Sequence, residues 1–368
     1  MENQRLNHLY DLLKANGLAA LALNPGPTLT YLTGLNFHLM ERPVVLLVSP
    51  TASPVIILPE LETGKLRNSQ IQLKSFAYSD NPVTWQNAFT QALQSLHLEQ
   101  KNVGVEPARM RVLELRFLET AIPGAHFVSA ETPLSELRLC KEIEEINSMR
   151  TAARIAQDGL QAALPMIKPG VSERDICAEL LIQLFRAGSD ADLPFNPTVA
   201  SGPNSADPHA GVSERKLEKG DFLLIDWGAS YKGYFSDLTR TFAIGELNPE
   251  MGRIYELVRE ANGAGRAAGR PGISAGEVDH AARKVIDTGG YGEYFIHRTG
   301  HGLGMEVHEP PYIYLENKQL LKEGMVYTIE PGIYLNGRVG VRIEDDVVIT
   351  ERGCESLTDF PREMQVLE

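Results

Sequence analysis

Four acids in two short stretches of the chain have the types and spacing to hold a metal. Asp226 closes the run DFLLID and Asp237 follows in YFSDLTRTFAI, with the turn SYKG midway between them. In a simple hairpin the two acids would face each other across the ladder. Glu330 and Glu344 repeat the arrangement about the tip NGR, a strong turn signal. Like charges directly opposite on a hairpin repel, and carboxylates among buried strand residues cost more still. A single acid of this kind is better read as part of a solvated face. Four acids in two matched hairpins point to a cation.

The stretch HRTGHGLGMEVHEPP (297–311) supplies three histidines. Taken alone, each is more simply a structural residue than a ligand. Beside the acids, His301 is the best candidate, because Gly300 and Gly302 let its backbone approach a crowded centre. One imidazole then completes a plausible dinuclear set. Carboxylate-rich ligation with one His suits Mn²⁺, Co²⁺, Fe²⁺ or Zn²⁺. Cys140, Cys177 and Cys354 are scattered, which fits a reducing cytosol and no thiolate site.

The elements that must position these residues show an internal repeat. IKPGVSERDICAEL (167–180) echoes GRPGISAGEVDHAA (269–282), and KGDFLLIDWGASYKGY (219–234) echoes EGMVYTIEPGIYLNGR (323–338). In the second pair Gly220, Asp226, Gly228 and Gly233 match Gly324, Glu330, Gly332 and Gly337 at one offset, 104. Two similar halves related by pseudo-symmetry would bring equivalent hairpins together at the centre.

Upstream, residues 5–17 read as an amphipathic helix, and LAALALNP, VVLLVS and PVIILP as short buried strands. TWQNAFTQALQSLHL reads as a helix and KNVGVE as a strand, so residues 1–135 suggest a small α/β domain. SAETPLSELRL reads as a turn-rich stretch before a long helix, 141–164. The boundary is expected near residue 135, leaving 136–368 for the second domain. A chain of 368 residues has ample length for two cores. A net charge of −13 argues against a nucleic-acid or anionic-membrane surface. No apolar run reaches about 18–20 residues, the length a membrane helix needs. The start, MENQRLNHLYDLL, is polar and amphipathic rather than a signal peptide.

The motifs together resemble the pita-bread metallopeptidases, specifically the Xaa-Pro peptidases, prolidase and aminopeptidase P. LIDWGASYKGYFSDLTRTF, GHGLGMEVHEPP, TIEPGIY and GVRIEDDVVIT are similar to the family segments, in family order, and NPTVASGPNSADPHA to a stretch with an upstream active-site His. The resemblance implies an α+β chain: a C-terminal pita-bread domain with pseudo-symmetric halves behind an N-terminal α/β domain of creatinase type. It implies a cytoplasmic enzyme that uses two divalent ions, Mn²⁺ foremost, to cut peptides with proline at the second position. The ligands would be Asp226, Asp237, His301, Glu330 and Glu344, with Glu330 also the general base. His308 would reach the scissile carbonyl and His209 would assist. His297, Arg342 and Tyr312 would line the substrate pocket, although Arg342 could equally serve to neutralise carboxylates.

The resemblance further implies a homodimer in which the segment YLTGLNFHL (31–39) approaches a neighbouring active site, with Tyr31, Phe37 and His38 on a strand end and loop. Family dipeptidases often carry an Arg shortly after the position of His308; here the segment is HEPPYIYLENK. On that ground tripeptides are expected to be cleaved at least as well as dipeptides. Methionine aminopeptidase shares the five ligands but usually lacks the first domain. Creatinase has both domains without this metal set, and a non-catalytic pita-bread binding protein would typically lose ligands.

Overall fold

The computed structural model describes residues 4–368. The first three residues of the opening segment, and the reading made of them, lie outside that range. The chain divides into two compact units, one ending at Arg138 and the other running Leu139–Glu368. The division falls three residues after the position expected from sequence.

In the first unit, continuous apolar runs become strands covered on both faces. β1 (Ala20–Leu23), β2 (Val45–Ser49), β3 (Ala52–Pro59), β4 (Lys74–Tyr78), β5 (Asn102–Val105) and β6 (His126–Ser129) form one mixed sheet, ordered β4-β3-β2-β1-β5-β6. The helices are α1 (Gln4–Ala15), α2 (Pro27–Thr33), α3 (Trp85–Gln94), α4 (Val112–Ala121) and α5 (Glu131–Leu139). Two of them correct the sequence reading. The turn-rich stretch is α5: Pro133 sits in its first turn, where a missing N–H is tolerated, and Leu134 and Leu137 are buried at helical spacing. Tyr31 lies not on a strand end but in α2, a helix opened by Pro27 and stopped by Gly34 at φ 72°. Seven residues are too few for a helical period to show. Tyr31 and Phe37 are buried and only His38 of the three is exposed.

The second unit repeats itself. α6 (Ile143–Ala163) and α7 (Glu173–Ala187) precede β7 (Thr198–Ser201), β8 (Phe222–Trp227), β9 (Ser230–Tyr231), β10 (Tyr234–Phe235) and β11 (Leu238–Ile244). α8 (Pro249–Ala268) and α9 (Ala275–Thr288) precede β12 (Gly300–Gly302), β13 (Glu309–Ile313), β14 (Val326–Ile329), β15 (Gly332–Leu335), β16 (Val339–Arg342), β17 (Asp345–Thr350) and β18 (Gly353–Ser356), with β19 (Val366–Leu367) at the end. The strand orders β7-β8-β11 and β12-β14-β17 match. So do the details. Ser172 and Ser274 cap α7 and α9, each accepting from the third residue on. Gly170 and Gly272 donate to Leu217 and Leu321, and all four of Gly170, Gly272, Gly220 and Gly324 have positive φ.

Strand alternation separates structure from chemistry. Leu223, Ile225 and Trp227 of β8 pack into the core that includes Leu160 of α6 and Leu180 of α7. Tyr327 and Ile329 of β14 do the same against Val278 of α9. Each such side chain contributes about 1.5–3 kcal/mol of burial. Asp226 and Glu330 have the other parity, so they project from the opposite faces. The two sheets meet there, in a bridge between Thr239 and Glu344.

Candidate metal centre

The first hairpin differs from its expected register by two residues. Asp226 pairs with Thr239, not with Asp237, which sits opposite Gly228 in the continued ladder. The cause is the turn: Lys232 and Gly233 both take positive φ, 53° and 76°, forming a two-residue turn set further along than the midpoint of SYKG. A two-residue shift preserves the face, because side chains alternate with period two. Asp226 and Asp237 therefore still share a side, on a diagonal. The second hairpin runs as expected: Ile329 pairs with Asp345 and Gly332 with Arg342, which puts Glu330 opposite Glu344.

His301 reaches these acids from β12. A Cβ at Gly300 would collide with the Thr328 carbonyl, and one at Gly302 with the Pro310 carbonyl. The two glycines thus allow the close approach. Its Nδ1 lies 3.2 Å from the Gly302 carbonyl, which can only accept, so Nδ1 carries the proton. The lone pair on Nε2 then faces the acids, 3.6 Å from Asp237 Oδ2 and 3.4 Å from Glu330 Oε1. Ligand atoms of Asp237, His301 and Glu344 all lie within 4.8 Å of one another. The Glu330 amide donates to the Thr299 carbonyl at 2.8 Å. Asp279 of α9 accepts in turn from the Thr299 amide and hydroxyl.

All five expected ligands line one cavity of about 610 Å³. His209, His297, His308 and Arg342 line it as well. Tyr312 does not line it; its ring lies under the guanidinium of Arg298, 4.5 Å from ring centroid to Cζ. Arg298 does line it, and it escaped the sequence reading although it sits inside the opening motif. It occupies irregular backbone just before β12, where neither the strand nor the helix period predicts a side chain's direction. Among the described residues it has no carboxylate partner.

Arg342 does both things that its sequence left open. It lines the cavity, and its Nη2 pairs with Asp226 Oδ2 at 2.7 Å. Its Nε donates to Thr239 Oγ1 at 2.9 Å, and Thr239 donates to Glu344 Oε2 at 2.6 Å. Its Nη1 donates to the hydroxyl of Tyr334, a residue the sequence did not single out. His297 Nδ1 lies 2.7 Å from the Arg298 carbonyl and so carries the proton. Its Nε2, 3.0 Å from the Tyr334 oxygen, must accept. The chain of donors therefore runs Arg342 to Tyr334 to His297. Burial, with Arg342 and other cations nearby, pulls His297 down to about 4.

The electrostatics fit a cation. Burial first, then Glu344 and Asp226, holds the Asp237 carboxyl well above its usual range. Burial, then Glu330 and Asp226, does the same to Glu344. Glu330 is pushed up to about 7, chiefly by burial, with Arg342 offsetting part and Asp226 adding to it. Burial also raises Asp226, against the pull of Arg342. Burial and His308 keep His301 neutral, well below its usual value. Among the described residues, Asp226 Oδ1 is buried with no hydrogen-bond partner. Crowded acids, an orphaned oxygen and a neutral imidazole presenting a lone pair are what divalent ions bind.

Comparison with known proteins agrees. Residues 147–351 match the model of metallopeptidase family M24, and residues 5–140 that of the creatinase/prolidase N-terminal domain. The chain is 35% identical to a Xaa-Pro dipeptidase of Lactobacillus helveticus, over 97% of this chain and 96% of that protein. Among solved structures it is similar to a dipeptidase from Pyrococcus horikoshii OT3, with TM-score 0.93 and 39% identity over 99% of this chain and 100% of that one. A prolidase from Thermococcus sibiricus superposes with TM-score 0.92 at 36% identity, each chain covered in full. With its matched hairpins, its buried acids and a creatinase/prolidase domain in front of them, the chain belongs to metallopeptidase family M24.

Proposed function

We propose that the protein hydrolyses the bond between an N-terminal residue and a following proline, and that Xaa-Pro dipeptides are its preferred substrates. The observation that carries this is the convergence of Asp226, Asp237, His301, Glu330 and Glu344 on one buried centre, with the guanidinium of Arg298 on the same cavity. The names of the relatives, Xaa-Pro dipeptidase and prolidase, support it. An amide to proline has no N–H and a rigid ring. A cleft that relies on an amide donor handles it poorly.

Two divalent ions held by the five ligands would supply Lewis acidity and lower the pKa of the attacking water toward about 7. Glu330 accepts a proton from the attacking water as the oxygen adds to the scissile carbonyl carbon. His308 donates a hydrogen bond to the carbonyl oxygen as charge develops there. Glu330 then delivers the proton to the proline nitrogen as the C–N bond breaks. His209, exposed on the same cavity, assists from the loop that follows β7, and His297 and Arg342 shape the pocket. Mn²⁺ is the metal we expect to give most activity, with Co²⁺ next. A cytoplasmic homodimer is the state we expect.

Arg298 argues against the expectation drawn from HEPPYIYLENK. That segment offers no Arg, but one arrives from upstream of His301, held on the ring of Tyr312. A carboxylate directly after proline needs such a partner in an acid-rich cavity. We expect kcat/KM for Ala-Pro to exceed that for Ala-Pro-Ala by more than about tenfold, roughly 1.4 kcal/mol of transition-state binding. Arg298→Ala should erase the preference, mainly by raising KM for the dipeptide. Equal rates on the two substrates would contradict the dipeptide reading. Cleavage of Met-Ala-Ser in preference to both would favour a methionine aminopeptidase.

A further inference from the structure

His308 is positioned almost wholly through its backbone. Among the described residues its imidazole has no hydrogen-bond partner; its ring meets only that of His301, edge-on, with centroids 4.1 Å apart. The loop that carries it, Leu303–His308, makes backbone bonds from Leu303 to the Val326 carbonyl at 3.3 Å, from Gly304 to Glu306 at 3.1 Å, and from Phe235 to Gly304 at 2.9 Å.

The next residue, Glu309, opens β13 opposite Gly302, across a register shift between His301 and Gly302. Its carboxylate turns inward against Gly304, where a Cβ would stand 2.7 Å from Oε1. There Lys141 Nζ meets Oε1 at 2.7 Å, with the two side chains 2% and 5% exposed. Lys141 comes from the very start of the unit. Its own backbone is pinned to the turn before β14: its amide donates to the Gly324 carbonyl at 2.8 Å, and Cys140 bridges to Met325.

A buried ion pair is a poor way to add stability, since apolar residues of similar size commonly do as well or better. What it does supply is direction, because a buried charge is costly anywhere but against its counter-charge. We infer that Lys141 is a positioning residue for catalysis: through its ion pair with Glu309 it sets the backbone of the 303–308 loop and so aims His308 at the scissile carbonyl. This rests on the role proposed above for His308. A group misplaced by about 1 Å can cost up to about 10²-fold in rate.

The test is a coupling cycle on the metal-loaded enzyme with Ala-Pro. Lys141→Met alone takes the ammonium away from a buried carboxylate and should lower the melting temperature. K141M/E309M removes both charges and should restore it. In that folded double variant kcat should fall at least about tenfold with KM within about twofold of wild type, since His308 acts on the transition state. H308A should cost about 10²-fold in the wild type, and at most about threefold in K141M/E309M. The full H308A cost in both backgrounds, or a wild-type kcat in the double variant, overturns the inference. If K141M/E309M does not fold, E309D, which draws the carboxylate back by one methylene, takes its place in the same cycle with the same deciding outcomes. H308A without effect in the wild type would instead defeat the catalytic assignment of His308, and the inference with it.

Discussion

The two hairpins of the catalytic unit share a backbone plan but not a register. In the second, Glu330 and Glu344 stand in line across the ladder, around a loop that Arg338 closes by donating to the Leu335 carbonyl at 2.8 Å. In the first, the shorter turn staggers Asp226 and Asp237 and leaves Thr239 opposite Asp226. The stagger has a use. Thr239 takes a hydrogen bond from Arg342 and gives one to Glu344, so the first hairpin orients a carboxylate of the second. In exchange, Arg342 of the second hairpin pairs with Asp226 of the first. Asp226 and Glu330 are equivalent by the repeat, yet only Asp226 is hydrogen-bonded by that guanidinium; Glu330 feels it at a distance. Duplication supplies the cradle, and the departures from it give Asp226 and Glu330 different electrostatic surroundings.

The most damaging change to this comparison removes one proposed ligand from either hairpin. Asp237→Asn and Glu344→Gln should each lower kcat/KM by at least about 10³-fold, because each weakens the binding of metals that contribute several kcal/mol to the reaction. Steady-state assays at saturating Mn²⁺ decide it. A mild effect from one alone would mean that the hairpins do not build the centre jointly.

Next in size is the contrast within the equivalent pair. Glu330→Gln keeps an oxygen ligand but removes the base, so the rate should drop at least about 10²-fold with metal retained. Asp226→Asn should lose metal, and excess Mn²⁺ should recover much of its activity. Metal content measured beside kcat separates the two. Identical behaviour of both variants would erase the distinction drawn between ligand and base.

Much of this was legible in the chain, and the gaps have physical causes. The acids, His301 and the repeat could be read because strand alternation and turn glycines leave marks at fixed spacings. The first hairpin's register was not readable from its acids, since one residue's choice of positive φ, at Lys232, moves the whole ladder. Arg298 was missed because it lies on irregular backbone, and Tyr334 because an aromatic in a buried strand looks like core until its hydroxyl is seen to join Arg342 and His297. Lys141 and Glu309 lie 168 residues apart, and no local pattern joins them. α2 and α5 were lost to brevity and to a proline that a first turn tolerates.

The smallest effect concerns protons. In the metal-free protein burial pushes Glu330 up from an ordinary 4.5 to about 7. A carboxyl raised in the folded state favours folding while protonated, and that contribution is lost as pH rises from about 4.5 through about 7. Metal-free Glu330→Gln should therefore gain stability over metal-free wild type across that window and hold a constant lead above it. Melting temperatures of the two proteins between pH 4.5 and 8 test the sign. A lead that shrinks with rising pH would show that burial does not hold the Glu330 proton.

The central claim is that two matched hairpins jointly hold a two-metal centre that cuts Xaa-Pro bonds. The most direct measurement strips the protein with a strong chelator, returns Mn²⁺ stepwise, and follows bound metal by elemental analysis beside Ala-Pro hydrolysis. The account predicts no hydrolysis by the stripped protein and full activity at about two ions per chain. Undiminished Ala-Pro hydrolysis with no metal bound would contradict it.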